Sequence, residues 1–253
     1  MSFDAFGVAI SVSAPEPIIP RIQTILPPGS MVREPRDGDS HFILDTRPHV
    51  GYRVYHGSES FPAGPDLRVA LEVISQRIRE EVALDAPHHT FVHAGAVAHN
   101  GRGIVLPGRS FAGKTTLVSE LVKAGATYYS DEYAVFDEDG LLHPYAKPLA
   151  IRTVGYEQDD HDVSAFGGRQ GVEPVPVGLV AMCWYERGGT WQPQELSEGQ
   201  AMLAVLGNTI AAQEHPEQAM PILRKAVSGA VALEGTRGEA VETARLLLAA
   251  LDA

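Results

Sequence analysis

From Gly103 to Phe136 the chain reads GIVLPGRSFAGKTTLVSELVKAGATYYSDEYAVF. Within it, Gly108-Arg109-Ser110-Phe111-Ala112-Gly113-Lys114-Thr115 fits G-x-x-x-x-G-K-[ST] at every position. The pattern demands an apolar strand before it, which GIVLP supplies. It demands a helix behind it, which the run from Lys114 to Ala124 supplies, with Gly125 as its C-cap. Glycines let such a loop curl until successive N–H groups point inward as an anion nest. The helix N-terminus adds partial positive charge. In that arrangement Gly108 to Thr116 cradle phosphate, Lys114 reaches the β and γ phosphates, and the Thr115 hydroxyl is offered to Mg²⁺. A chance match in a chain of this length is on the order of 1%, so the loop is read as a nucleotide cradle.

What feeds the loop limits the fold further. FVHAGAVAH and GIVLP flank Asn100-Gly101, a strong hairpin signal. The strand entering the loop is then the second arm of an antiparallel hairpin, which predicts a mixed sheet within an α/β fold. Asp131 and Glu132 follow Lys114 by 17 and 18 residues, one helix and half a strand later. That spacing brings the strand TYYSDEYAVF beside the loop strand and its carboxylates near the γ-phosphate. A carboxylate there can hold Mg²⁺ or take a proton from an attacking hydroxyl.

Residues 1–87 read as a small α/β region packed on the core, and 88–253 as the nucleotide-binding domain. FGVAISV, HFILDTR and GYRVYH are strand candidates. Leu67, Leu71, Ile74, Ile78 and Val82 line one face of a helix that Pro87 closes. Beyond residue 150, VSAFGGRQGVEPVP is expected to be a mobile segment that closes on the acceptor, since Gly167-Gly168 permits large backbone change and Arg169 brings a cation. VGLVAMCWYE reads as a buried strand, AVALEG as a short one, and the last helix carries Val241, Ala244, Leu248 and Leu251 on one side.

With 20 Lys and Arg against 32 Asp and Glu, broad binding to nucleic acid or anionic membranes is not expected. The single Cys183 sits in a buried-strand pattern and reads as a packed thiol. No signal-like start and no apolar run of membrane length occurs, so the expectation is a cytoplasmic protein, with room for a homo-oligomer. LSEGQ resembles an ABC-transporter signature but follows the carboxylates instead of preceding them; Ser197 and Gln200 make better sense as a capping box. An Asn-Lys-x-Asp guanine-reading motif is absent. His88, His89 and His93 lack an acidic or Cys partner at metal-ligand spacing, but the hairpin folds His93 back toward the mouth of the loop.

The run VHAGAV…GIVLPGRSFAGKTTLVSELVKAG…YYSDE resembles the catalytic domain of the HPr kinase/phosphorylase family, itself related to phosphoenolpyruvate carboxykinases. The resemblance covers about residues 91–136. It implies a P-loop kinase domain in which Lys114 binds phosphates and Thr115 ligates Mg²⁺. Asp131 would be the general base toward a serine hydroxyl, with Glu132 sharing the metal and catalytic work, and His93 would tune Asp131. Two features depart from the family pattern. Glu132 stands where the family has a second Asp, and LAIRTVGYEQ keeps only Arg152 of a Glu-x-Arg-Gly signature that accompanies phosphorolysis. The expected activity is therefore ATP-dependent phosphoryl transfer to a serine hydroxyl of a protein or peptide, without the phosphorylase reaction. A small-molecule hydroxyl acceptor on the same fold and a non-catalytic nucleotide-binding regulator are the alternatives.

Overall fold

The computed structural model describes residues 1–47, 49–108, 113–152 and 158–253, with the side chains of residues 150–152 and 158–160 outside that description. Two compact units result, Met1–His88 and His89–Ala253.

In the first unit, strands β1 (Ser2–Ala5), β2 (Val8–Ser13), β3 (Met31–Arg33), β4 (Ser40–Arg47), β5 (Gly51–His56) and β6 (Glu59–Gly64) form a mixed sheet in the order β3-β1-β2-β4-β5-β6. The β2–β4 pairing is its one parallel pair among the described strands. Between β2 and β4 the chain makes the short helix α1 (Ile19–Gln23), and after β6 the long helix α2 (Leu67–Asp85). Asp66 caps α2 by accepting the Arg68 N–H at 2.8 Å, which satisfies one of the otherwise orphaned donors. Leu71, Ile74, Ile78 and Val82 are buried as their spacing predicts, together with Phe3, Ile10, Phe42, Leu44 and Val54 of the sheet.

The second unit is built on an eight-stranded mixed sheet. Its strands are β7 (His89–His99), β8 (Arg102–Pro107), β9 (Thr127–Ser130), β10 (Tyr133–Asp137), β11 (Leu142–His143), β14 (Val177–Tyr185), β15 (Gln194–Glu195) and β16 (Val231–Arg237), while β12 (Leu149–Arg152) and β13 (Gln158–His161) make a separate ribbon. The hairpin β7–β8 turns on Asn100 and Gly101 at φ 50° and 76°, the positive pair that a right-twisted two-residue turn requires. β8 then runs parallel to β14, and β14 parallel to β16. Helices cover both faces. On one side lie α3 (Lys114–Lys123) and α6 (Ala240–Asp252), burying Leu117, Val118, Leu121, Ala244, Leu247 and Leu251 against Val97, Ile104 and Leu106. On the other lie α4 (Glu198–Leu206) and α5 (Pro216–Val227), burying Val205, Ile222 and Leu223 against Val92, Val105 and Val180. Ser197 and Gln200 do form a capping box at the start of α4. Val241 falls outside the buried stripe of α6 and is about half exposed.

The packing of α3 on β7 depends on Gly95. A Cβ there would stand 2.6 Å from Cγ2 of the fully buried Val118. Gly95→Ala is expected to destabilise by about 1–3 kcal/mol, because a tight core cannot take the extra methyl without moving the helix. Thermal melting checks this; an unchanged midpoint would mean that α3 lifts from β7 at no cost.

Candidate active site

The run TYYSDEYAVF, expected as one strand, is two. Its first part, β9, pairs with β7 at Ala96–Ala98, and its second, β10, pairs with β7 at His89–His93. Between them Asp131 and Glu132 form a bend. The cause is local: the Ser130 hydroxyl accepts the N–H groups of Glu132 at 3.1 Å and Tyr133 at 3.0 Å, offering the backbone a turn in place of the ladder. The bend brings Asp131 within hydrogen-bonding distance of Thr115 in the first turn of α3.

Gly108 donates its N–H to the His93 carbonyl at 3.1 Å, so the loop starts against β7. Arg109, Ser110, Phe111 and Ala112 lie outside the described residues, as does the side chain of Arg152. Description resumes at Gly113, the N-cap of α3, with φ +75°. Lys114 Nζ donates to the Gly108 carbonyl at 2.7 Å, spanning the two ends of the loop. Burial lowers the Lys114 pKa, and the nearby charges of Asp131 and Glu132 oppose that shift. Thr116 follows Thr115 in the first turn of α3 and is exposed.

Asp131 is 6% exposed. Its Oδ2 accepts the Thr115 hydroxyl at 2.9 Å, and its Oδ1 lies 3.0 Å from the Tyr128 hydroxyl, which also lies 3.0 Å from the Lys147 carbonyl. Burial raises the pKa of Tyr128 far out of reach, with the Asp131 charge adding to it, so this hydroxyl stays a donor. A carboxylate offers about four lone-pair positions, and two are used here, leaving capacity for a ligand. Glu132 turns to Lys147, with Oε2 and Nζ 3.3 Å apart. Pairing with Tyr133 places His93 on the same strand face, the two rings 5.0 Å apart. The structure thus gathers Gly108, Gly113, Lys114, Thr115, Asp131, Glu132 and the His93 backbone in one region of the second unit.

Three contributors are invisible to sequence reading: Tyr128 and Lys147, which hold the acidic pair, and Arg237. The last residue of β16, Arg237 donates to the Gly113 carbonyl at 3.2 Å across 124 residues of sequence, and no local pattern marks it.

Residues 163–176, the segment expected to move and to meet the acceptor, are joined to the sheet by backbone hydrogen bonds. After a short 3₁₀ turn, Val163–Phe166, the Arg169 carbonyl accepts from Tyr128 N at 2.8 Å, and Gly171 N donates to the Tyr128 carbonyl at 2.7 Å. Val175 and Leu142 exchange both backbone bonds, at 2.8 and 3.0 Å, and the Pro176 carbonyl accepts from Gly103 N at 2.8 Å. Gly103 is the second residue of β8, whose other end leads to Gly108, so Val175 and Pro176 are tied down at the end of the strand away from Gly108. The glycine content reflects close approach: a Cβ at Gly171 would meet the Tyr129 ring at 2.3 Å.

His89 lies edge-on to His143, with ring centroids 5.2 Å apart. Among the described residues no group of three or more His, Cys, Asp or Glu side chains gathers as a metal-ligand set. Burial pushes the Cys183 thiol up to about 12, partly offset by the Arg237 charge, which keeps the sulfur protonated at neutral pH. Among the described residues no helix is long and apolar enough to cross a membrane. Comparison with protein-family models finds none that matches the chain, and comparison with curated proteins finds no match either.

Proposed function

We propose that this chain is an ATP-dependent phosphotransferase of the HPr kinase-like P-loop type, moving the γ-phosphate to a serine hydroxyl of a protein or peptide. The observation that carries the reading is the 2.9 Å approach of Thr115 Oγ1 to the buried Asp131 carboxylate, beside Lys114 at the start of α3. The hydroxyl and carboxylate oxygens are hard donors of the kind Mg²⁺ takes when phosphate and water supply its other ligands. Bound there, Mg²⁺ would neutralise charge on the β and γ phosphates.

The chain's own residues supply the rest. The N-terminus of α3 and Lys114 hold the phosphates by helix dipole and point charge. Asp131 takes the proton of the serine hydroxyl as its oxygen bonds to the γ-phosphorus; the β–γ bridging oxygen leaves with the electron pair, releasing ADP. Tyr128 and Thr115 orient the carboxylate for that transfer. Lys147 holds Glu132 beside it, and His93 supports the group from β7. Phosphorolysis is no part of the proposal, because Ala150 and Thr153 stand around Arg152 where the Glu-x-Arg-Gly signature has its glutamate and glycine.

The test is to incubate the protein with γ-labelled ATP and a lysate of its host and to identify the labelled species by mass spectrometry. Label on a serine of a protein or peptide supports the proposal. Label on a small metabolite moves the acceptor to the second class of substrate, and nucleotide binding with no labelled product leaves a regulator.

A further inference from the structure

Arg237 is 3% exposed and stands at the carboxyl end of β16, two strands from the one that feeds the loop. Its NH1 donates to the Gly238 carbonyl at 2.9 Å and its NH2 to the Gly113 carbonyl at 3.2 Å. Nε is buried and has no hydrogen-bond partner among the described residues. The guanidinium lies 5.3 Å from the centroid of the Tyr185 ring, and among the described residues it forms no salt bridge. A buried cation whose partners among the described residues are two peptide carbonyls and one aromatic ring is costly, since none of them returns in full what removal from water takes away. Burial lowers its pKa. A neutral side chain could tie down one carbonyl at smaller cost.

The position of the charge explains its retention. Gly113 immediately precedes Lys114 at the start of a ten-residue helix, and a Cβ on Gly113 would lie 2.7 Å from Arg237 NH2. The guanidinium therefore sits against the backbone that opens α3, at the same helix N-terminus that Lys114 serves. We propose that Arg237 is the second cation of an oligophosphate site at the start of α3, its buried charge being compensated by the phosphates of the bound nucleotide. This rests on the nucleotide-binding reading and adds a residue to it. In a water-poor site the attraction between a guanidinium and phosphate is far larger than at a surface, so the charge and not the hydrogen bond is the functional property.

Two variants separate charge from hydrogen bonding. Arg237→Gln keeps an N–H for the Gly113 carbonyl and loses the charge; Arg237→Lys keeps the charge. Calorimetric titration with inorganic pyrophosphate is expected to show Arg237→Gln binding at least tenfold more weakly than wild type and Arg237→Lys within about threefold, with the melting temperature of ligand-free Arg237→Gln unchanged or higher. In wild-type protein labelled with ¹⁵N-arginine, pyrophosphate should move the Arg237 Nε–H resonance, a readout that needs no variant to fold. Equal pyrophosphate affinity of wild type and Arg237→Gln, or an unmoved Nε–H resonance at saturation, would overturn the role of Arg237. Wild-type protein that binds neither pyrophosphate nor ATP would instead refute the nucleotide-binding reading beneath it.

Discussion

Asp131→Asn is expected to slow phosphoryl transfer by about 10²–10⁴ while leaving nucleotide affinity within a few-fold of wild type. The substitution keeps the volume of the side chain and one oxygen toward Thr115; its NH2 then faces the Tyr128 hydroxyl, which can accept from it while donating to the Lys147 carbonyl. It removes the ability to take a proton, and a serine hydroxyl near neutral pH is a poor nucleophile without that help. Glu132→Gln is expected to cost less, because Glu132 is engaged with Lys147 at 3.3 Å. Comparing transfer rate with nucleotide affinity for the two variants checks the assignment. Near wild-type transfer by Asp131→Asn with a dead Glu132→Gln would exchange the two roles. Full activity in both would reduce the pair to a structural bend.

What the sequence disclosed and what it hid divide by range of interaction. Asn100-Gly101 specifies its hairpin by backbone conformation alone, and the hairpin specifies that β8 enters a mixed sheet, so this part of the architecture was legible. The nearness of Asp131 to Thr115 followed from one helix length between β8 and β9. The break between β9 and β10 did not, because a Tyr- and Val-rich run reads as continuous strand, whereas a single serine hydroxyl accepting two N–H groups bends it. The backbone ties of residues 163–176 were hidden for a different reason. Glycine signals freedom in a sequence, but at Gly168 and Gly171 it serves close packing against Val122 and Tyr129. Arg237 lies at a strand end more than a hundred residues from the loop, and only the parallel order β8-β14-β16 brings it behind Gly113.

Lys114→Met is the second large effect. The methionine keeps the length of the side chain and removes the charge from the β and γ phosphates, so MgATP affinity is expected to fall by at least about 1.5–3 kcal/mol, roughly ten- to a hundredfold. In the ligand-free protein the same change acts in the other direction. The folded pKa of Lys114 is lowered below 10.5, chiefly by burial, so between the folded value and 10.5 the unfolded chain binds more protons than the folded one. Below that window the wild type carries the full cost of the buried ammonium; as pH rises through it, stability is regained. Lys114→Met should therefore be the more stable protein at neutral pH, with an advantage that shrinks toward pH 10.5 in denaturant titrations. The most direct measurement is calorimetric titration of wild type and Lys114→Met with ATP, with and without Mg²⁺. Mg²⁺-dependent binding by wild type that is lost or severely weakened in Lys114→Met is the predicted result; no binding by wild type, or equal binding by both, would contradict the account.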